Sequence, residues 1–469
     1  MIAPMDPTSS GFLLAESRNQ PMHVGGLQLF RKPEGAGRNY VRDAFAVMLD
    51  VDKVAPLFIK RPYRSLTTGG QWVWREDEQF DLEHHVRHSA LPKPGRVREL
   101  LELCSRLHGT RLALERPLWE IHVIEGLRDG RVALYSKMHH ALVDGVSAMR
   151  LLQDTLSTDP DRRDQLPAWA ARPPAARAEQ TRAVQDRKLS NLPMGAFRSA
   201  LGIAADAAGM PGALVKTLSR GLRNETSALS LYAPKTILNK NITGARRFAA
   251  QDWPIERMRE IGKATGTTIN DVVLAMCSGA LRSYLLELNA LPKPTMIAMV
   301  PVALKLKGSP AAPDAGGNAI GVVMAKLGTH LVDPADRLKG IHASMDDGKD
   351  ALASMSAMQI MAMSAIGLSP AILTPILRLQ GISRPPFNVV ISNVPGPRKP
   401  LYSNGARLEG MYPLSIPING MALNITCSSY DGNMAFGLTG CRRTVPHLQR
   451  LLTHLDRELS ALGKAAGVA

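Results

Sequence analysis

Val132-Ala-Leu-Tyr-Ser-Lys-Met138 runs into His139-His140-Ala141-Leu142-Val143-Asp144-Gly145, which runs into Val146-Ser-Ala-Met-Arg-Leu-Leu-Gln-Asp-Thr-Leu156. The first piece reads as a strand and the last as a helix, so the histidine pair sits on a strand-to-helix turn of an α/β or α+β fold. An imidazole there can accept a hydroxyl proton near neutral pH. A carboxylate four positions on can fix the turn or orient the ring, and Gly145 is expected to allow a tight backbone. A lone histidine is more often structural than catalytic. Four fixed positions in a strand-turn-helix setting are a more specific signal, and they mark His140 as the candidate general base. His84-His85 is an internal control: Val86-Arg87-His88-Ser89-Ala90 follows with no Asp-Gly, so that pair reads as structural or surface.

Working outward, residues 1–160 mix β-rich runs such as Val24–Phe30 with a helical stretch around Arg98–Leu114. Residues 161–224 shift to Ala, Arg and Pro, including Pro167 and Pro173-Pro174, the composition of an exposed inter-domain connection. Residues 225–469 form a second globular stretch with helices over Ile255–Gly266 and Ile269–Leu288 and a strand over Met296–Val302. A chain of 469 residues exceeds the usual size of one core, and two domains are expected. Ala351–Leu377 carries no charge and four methionines. Its serines, Pro370 and Pro375 argue for two broken helices rather than a membrane span, with plain core on one side and an acyl-tunnel lining or membrane-docking surface on the other as the alternatives.

Lys plus Arg total 57 against 41 Asp plus Glu, a net charge of +16 that suits a phosphorylated substrate or an anionic membrane. A solvated basic surface is the plain alternative. Aromatics are only 5% and nowhere interleave with basic residues as a base-stacking platform, so nucleic acid is not an expected partner. Cys104, Cys277, Cys427 and Cys441 are scattered, which indicates neither a metal site nor a disulfide framework. No secretory signal opens the chain, and a cytoplasmic location is expected.

The motif H-H-x-x-x-D-G resembles the signature of the CoA-dependent acyltransferase superfamily. Pro21-Met22-His23-Val24-Gly25-Gly26, Pro117-Leu118-Trp119, Asn270-Asp271, Asn393-Val394-Pro395-Gly396-Pro397 and Gly420-Met421-Ala422-Leu423-Asn424 resemble, in order, the blocks of bacterial wax ester synthase/diacylglycerol acyltransferases. One departure is Cys441-Arg442, where an acidic residue would be expected before the arginine.

The resemblance implies two chloramphenicol-acetyltransferase-like α/β domains with the reaction channel at their interface. It implies transfer of a long-chain acyl group from acyl-CoA, as donor substrate, to a fatty alcohol or diacylglycerol, with no bound cofactor and no metal. His140 would take the alcohol proton; Asp144 would orient or brace, with His139 and Gly145 as supports. Asn270 would donate to the oxyanion, although an N-cap is the plain reading of Asn270-Asp271. Asp271, Pro117, Leu118, Trp119, Asn393, Val394 and Pro395 would shape the channel or fold, and Lys305 and Lys307 are candidate contacts for CoA. The protein would sit peripherally on the inner membrane or on lipid inclusions. Two rival readings are a carrier-protein-dependent condensation enzyme and a non-catalytic lipid-binding protein.

Overall fold

A computed structural model describes residues 2–171, 232–305, 318–353, 355, 360 and 384–468, with the side chains of 303–305 and 318–320 outside that description. The described strands are β1 (Ile2–Pro4), β2 (His23–Arg31), β3 (Lys60–Tyr63), β4 (Val73–Glu76), β5 (Val86–Ala90), β6 (Trp119–Glu125), β7 (Val132–His139), β8 (Arg246–Pro254), β9 (Ile297–Lys305), β10 (Asn318–Lys326), β11 (Val389–Val394), β12 (Tyr402–Ser403), β13 (Ala406–Leu414), β14 (Leu423–Tyr430) and β15 (Asn433–Cys441). The described helices are α1 (Pro7–Ala15), α2 (Tyr40–Leu49), α3 (Pro56–Ile59), α4 (Leu82–His85), α5 (Val97–Gly109), α6 (Gly145–Gln153), α7 (Ile255–Thr265), α8 (Ile269–Glu287), α9 (Pro334–Ala353) and α10 (Arg450–Ala465).

Two six-stranded mixed sheets organise the chain, in the orders β12-β13-β2-β7-β6-β5 and β10-β9-β11-β14-β15-β8. A small sheet, β1-β4-β3, flanks the first. The second sheet is covered by α8, whose Val272–Cys277 run is buried on every side against α7, α9 and α10. That is why its sequence is apolar all round rather than amphipathic. Glu458 of α10 passes over Gly279 of α8 to pair with Arg337 of α9, and a Cβ at Gly279 would lie 2.0 Å from the Glu458 carboxyl carbon. The fold is therefore the two-domain α/β arrangement expected.

Two boundaries differ from the expectation. Tyr402–Leu414 does not stay with the second sheet: β13 pairs antiparallel with β2 from Arg407↔Arg31 to Leu414↔Gly25, so the segment 225–469 lends two strands to the first sheet. The start of the expected exposed connection is anchored. Trp169 is buried, stacks 5.7 Å from Trp119, donates from Nε1 to the Met48 carbonyl, and accepts from the Ala55 N–H. The rest of the connection, Lys307, the Lys305 side chain and most of Ala351–Leu377 lie outside the described residues; of that last stretch Met355 and Ile360 are in view and buried. No helix among the described residues is long and apolar enough to cross a membrane.

Candidate active site

β7 ends at His139 and α6 begins at Gly145, so the motif occupies the expected turn. It is pinned from both sides. The His139 N–H donates to the Leu118 carbonyl (2.9 Å) and the His140 N–H to the Met22 carbonyl (2.8 Å). The Pro117-Leu118-Trp119 and Pro21-Met22 blocks thus hold consecutive residues of the motif. Trp119 is fully buried, donating from Nε1 to the Phe58 carbonyl at 2.8 Å and stacking on His85. His85 itself donates to the Trp119 carbonyl (2.7 Å), and its pair with His84 is structural as expected. In the Met22 block, Gly25 is required by packing: a Cβ there would lie 2.8 Å from the Ser136 carbonyl oxygen.

The two motif histidines have different surroundings. His139 is fully buried; its Nδ1 accepts from the Ala141 N–H at 3.0 Å, which places the ring proton on Nε2, 3.6 Å from Glu16 Oε1. His140 is half-buried and stacks on Phe12 with ring centroids 4.2 Å apart. Among the described residues no other residue is hydrogen-bonded to the His140 ring. Burial pushes its imidazole down to about 4, opposed by the Asp144 charge and reinforced by His139. It is therefore neutral at pH 7, the state a general base requires.

Asp144 caps α6. Its carboxylate accepts from the Ser147 N–H (2.9 Å) and the Ser147 hydroxyl (2.7 Å), fixing the turn. Gly145 corrects an expectation. Its φ is not in the left-handed region, and a Cβ there would make only ordinary contact with Val24 Cγ1 at 3.7 Å. The backbone itself does not demand glycine.

α1 was not foreseen at the site, and it closes over the motif. Ser9 donates to the Ala141 carbonyl (2.8 Å), Phe12 covers His140, and Glu16, just past the helix end, faces His139. The Glu16 side chain is 1% exposed and also pairs with Arg111 at 3.2 Å. Burial pushes its carboxyl up, but His139, Arg111 and the Met22 N–H outweigh that and hold it below the ordinary value. Asp6 followed by Pro7 is a helix-start signal in the sequence, since Asp6 accepts from the Ser9 N–H. Nothing local announces where that helix docks.

In the second domain, Asn393 at the end of β11 donates from Nδ2 to Asn270 Oδ1 (3.3 Å) at the start of α8. The Asn270 amide nitrogen has no protein partner among the described residues. Asp271 is a brace: with Thr268 it forms a reciprocal capping box, and His342 Nδ1 donates to its Oδ2 at 2.9 Å. After Val394 and Pro395 the chain packs closely on β14 at Gly396, where a Cβ would meet the Ser429 carbonyl oxygen at 2.1 Å. The halves meet at the motif helix. Val394 pairs with Ser428 of β14, and the Ser428 hydroxyl contacts Met149 Sδ of α6 at 3.5 Å. Cys441, in place of the expected acid, is itself an acceptor, taking hydrogen bonds from the Thr243 N–H and the Thr444 hydroxyl, both at 3.3 Å.

Residues 5–273 match the wax ester synthase/diacylglycerol acyltransferase catalytic domain, and residues 316–463 match the C-terminal domain of the same proteins. The chain belongs to the wax ester synthase/diacylglycerol acyltransferase family. It is 48% identical over 467 residues to a protein named a probable diacylglycerol O-acyltransferase in Mycobacterium tuberculosis, covering 99% of each chain. The wax ester synthase/diacylglycerol acyltransferase of Marinobacter aquaeolei VT8 superposes with a TM-score of 0.79 at 42% identity, over 99% of this chain and 100% of that one. A starter condensation domain of rhizomide synthetase shares the fold alone, with a TM-score of 0.57 at 12% identity over 100% of this chain and 95% of that one. In this acyltransferase the family blocks thus contribute the histidine turn, its backbone anchors and, within the second domain, an asparagine pair.

Proposed function

We propose that the chain transfers a long-chain acyl group from acyl-CoA to the hydroxyl of a fatty alcohol or a diacylglycerol, with His140 as general base. The observation that carries this is the His140 ring: neutral at pH 7, half-buried under Phe12, hydrogen-bonded to no other residue among those described, and on the turn that leads into the helix touching the second domain. The imidazole takes the hydroxyl proton as the oxygen attacks the thioester carbonyl carbon. A thioester is already activated, so no covalent acyl-enzyme is needed. The tetrahedral oxyanion receives a hydrogen bond from the Asn270 amide nitrogen, which Asn393 turns outward by engaging Asn270 Oδ1. The carbon–sulfur bond then breaks, and the thiolate leaves as CoA thiol with the proton that His140 carries. Asp144 braces the turn, and its charge favours the imidazolium that forms. His139 and Gly145 support that turn; Pro117, Leu118, Trp119, Asp271, Val394 and Pro395 shape the walls.

Both acceptors are lipids, and the net charge of +16 favours anionic surfaces. We place the working enzyme in the cytoplasm, peripheral on the inner membrane or on lipid inclusions. The test is thiol release from palmitoyl-CoA with and without hexadecanol or a diacylglycerol, beside His140→Ala. Release that needs the acceptor and falls by about two to four orders of magnitude in the folded variant is expected. Near-normal turnover by His140→Ala would overturn the assignment.

A further inference from the structure

We propose that the hairpin β3–β4 is the element by which this protein docks on an anionic lipid surface, with the Leu66 side chain entering the bilayer interface. This rests on the acceptor being a membrane lipid, as read above. β3 and β4 pair antiparallel from Lys60↔Glu76 to Tyr63↔Val73. Between them the chain makes a tip, Arg64-Ser65-Leu66-Thr67-Thr68-Gly69-Gly70-Gln71-Trp72. Ser65 and Thr68 lock that tip with reciprocal capping hydrogen bonds, and Gly69 and Gly70 turn it at φ of +60° and +72°. Leu66 stands at its apex, 97% exposed, more than any other large apolar side chain among the described residues. The locked turn holds that leucine out in water.

The surroundings of Leu66 identify the cover. From Lys60 to Arg75 there are four basic residues and no acidic one. Tyr63, Trp72 and Trp74 interleave with them: Lys60 lies over Trp74 at 4.7 Å, Arg64 over Trp72 at 5.8 Å, and Arg75 over Tyr63 at 5.4 Å. The carboxylates that answer this charge sit at the base of the hairpin, where Arg61 meets Asp77 (3.8 Å) and Arg75 meets Glu78 (3.0 Å). At the exposed tip Arg64 has no carboxylate in ion-pair range among the described residues. An apolar apex above an amphipathic aromatic and basic collar is the chemistry of a bilayer interface with anionic headgroups.

The placement also serves the reaction. β1 pairs with β4 and runs through Met5 and Asp6 into α1, whose Phe12 covers His140. Ile2 of β1 and Leu14 of α1 are further exposed apolar side chains on these elements, at 63% and 65%. A hairpin seated on the bilayer therefore brings the helix that covers the base close to the phase holding the lipid acceptor.

The full chain is tested by flotation with vesicles of phosphatidylcholine alone and of phosphatidylcholine with phosphatidylglycerol. Leu66→Glu and Arg64→Glu are compared with Val332→Glu, an exposed apolar position in the second domain. Wild type and Val332→Glu should bind the anionic vesicles equally, with binding falling as salt rises. Leu66→Glu should lose about tenfold or more of that affinity, and Arg64→Glu should also weaken it. All should keep wild-type turnover on palmitoyl-CoA with a short, water-soluble alcohol. Equal vesicle binding by wild type and Leu66→Glu, or no binding by wild type, overturns the docking surface while leaving the catalytic reading to the soluble assay. If Leu66→Glu instead abolishes a dimer in size-exclusion chromatography and wild type ignores vesicles, a second copy covers the tip and the proposal fails. Absence of soluble turnover with tip-dependent vesicle binding overturns the catalytic reading alone.

Discussion

Glu16 is buried beside the motif without touching the proposed reacting atoms. Its carboxylate faces the Nε2 proton of His139, pairs with Arg111, and accepts from the Met22 N–H at 3.3 Å. Met22 in turn anchors the His140 N–H. Glu16 is thus a positioning residue, acting through His139 and Met22 on the placement of His140, the proposed base. Replacing it with Gln keeps the shape and removes the charge, leaving Arg111 without that counter-ion. Glu16→Gln is expected to lower kcat about tenfold to a hundredfold, the scale of a small misplacement of a base, with KM for palmitoyl-CoA little changed. Wild-type kcat in the Glu16→Gln variant would show that His139 needs no anion. The sequence could not announce this residue: Glu16 lies over 120 positions from His139, and an isolated glutamate after a helix carries no pattern. The place of His140 on a strand-to-helix turn was legible because its motif is local, a strand that ends where a helix begins.

The α6 cap carries the next prediction. Asp144 uses both carboxylate oxygens on Ser147, while its charge also raises the affinity of His140 for a proton. Asn caps a helix nearly as well as Asp but brings no charge, whereas Ala does neither. Asp144→Ala should therefore cost about 1 kcal/mol in urea unfolding together with activity, while Asp144→Asn should retain most stability and lose only rate. Equal stability loss in both variants would mean that the charge, not the cap, holds the turn. Elements with a local signature were read closely: a helix over Ile255–Gly266 is found at Ile255–Thr265, and one over Ile269–Leu288 at Ile269–Glu287. The pairing of β13 with β2 was invisible because its partners are nearly 380 residues apart and an alternating strand does not name its neighbour. Trp169 was read by the Pro- and Arg-rich composition around it, yet one indole with a buried partner outweighs that composition locally. Gly145 shows the converse error: a motif glycine suggested a tight backbone, and the turn is an ordinary helix start.

Across the whole molecule, several histidines are kept neutral by burial, and this makes stability depend on pH in a definite direction. Burial pushes His85 and His140 down to about 4 and His108 to about 3, and it holds His23 well below the ordinary 6.5, aided by His108 and Lys137. His108 accepts from the Tyr135 hydroxyl and donates to the Ser415 carbonyl, so its neutral form is built into the packing. In the unfolded chain all four titrate near 6.5. Above that pH both states bind the same protons at these sites. As pH falls from 6.5 toward 4 the unfolded chain takes up protons that the folded one refuses, so the stability they contribute is complete above 6.5 and is lost on acidification. The ceiling is about 1.4 kcal/mol per pH unit for each histidine. Burial works against Glu120, but His122, Lys137 and Arg87 hold it down to about 2; Glu16 is also held low, and both add losses below the ordinary carboxylate value of 4.5. On the account of these groups urea midpoints should fall steeply below pH 6.5. His85→Phe, which keeps a ring between Phe80 and Trp119, should flatten that slope by about one proton even if it weakens the protein at pH 7. Activity lost between pH 6 and 5 should accordingly follow unfolding, because the imidazole of His140, the proposed base, stays unprotonated in that range. Midpoints that do not move between pH 7 and 5 would mean that these imidazoles reach water in the folded state.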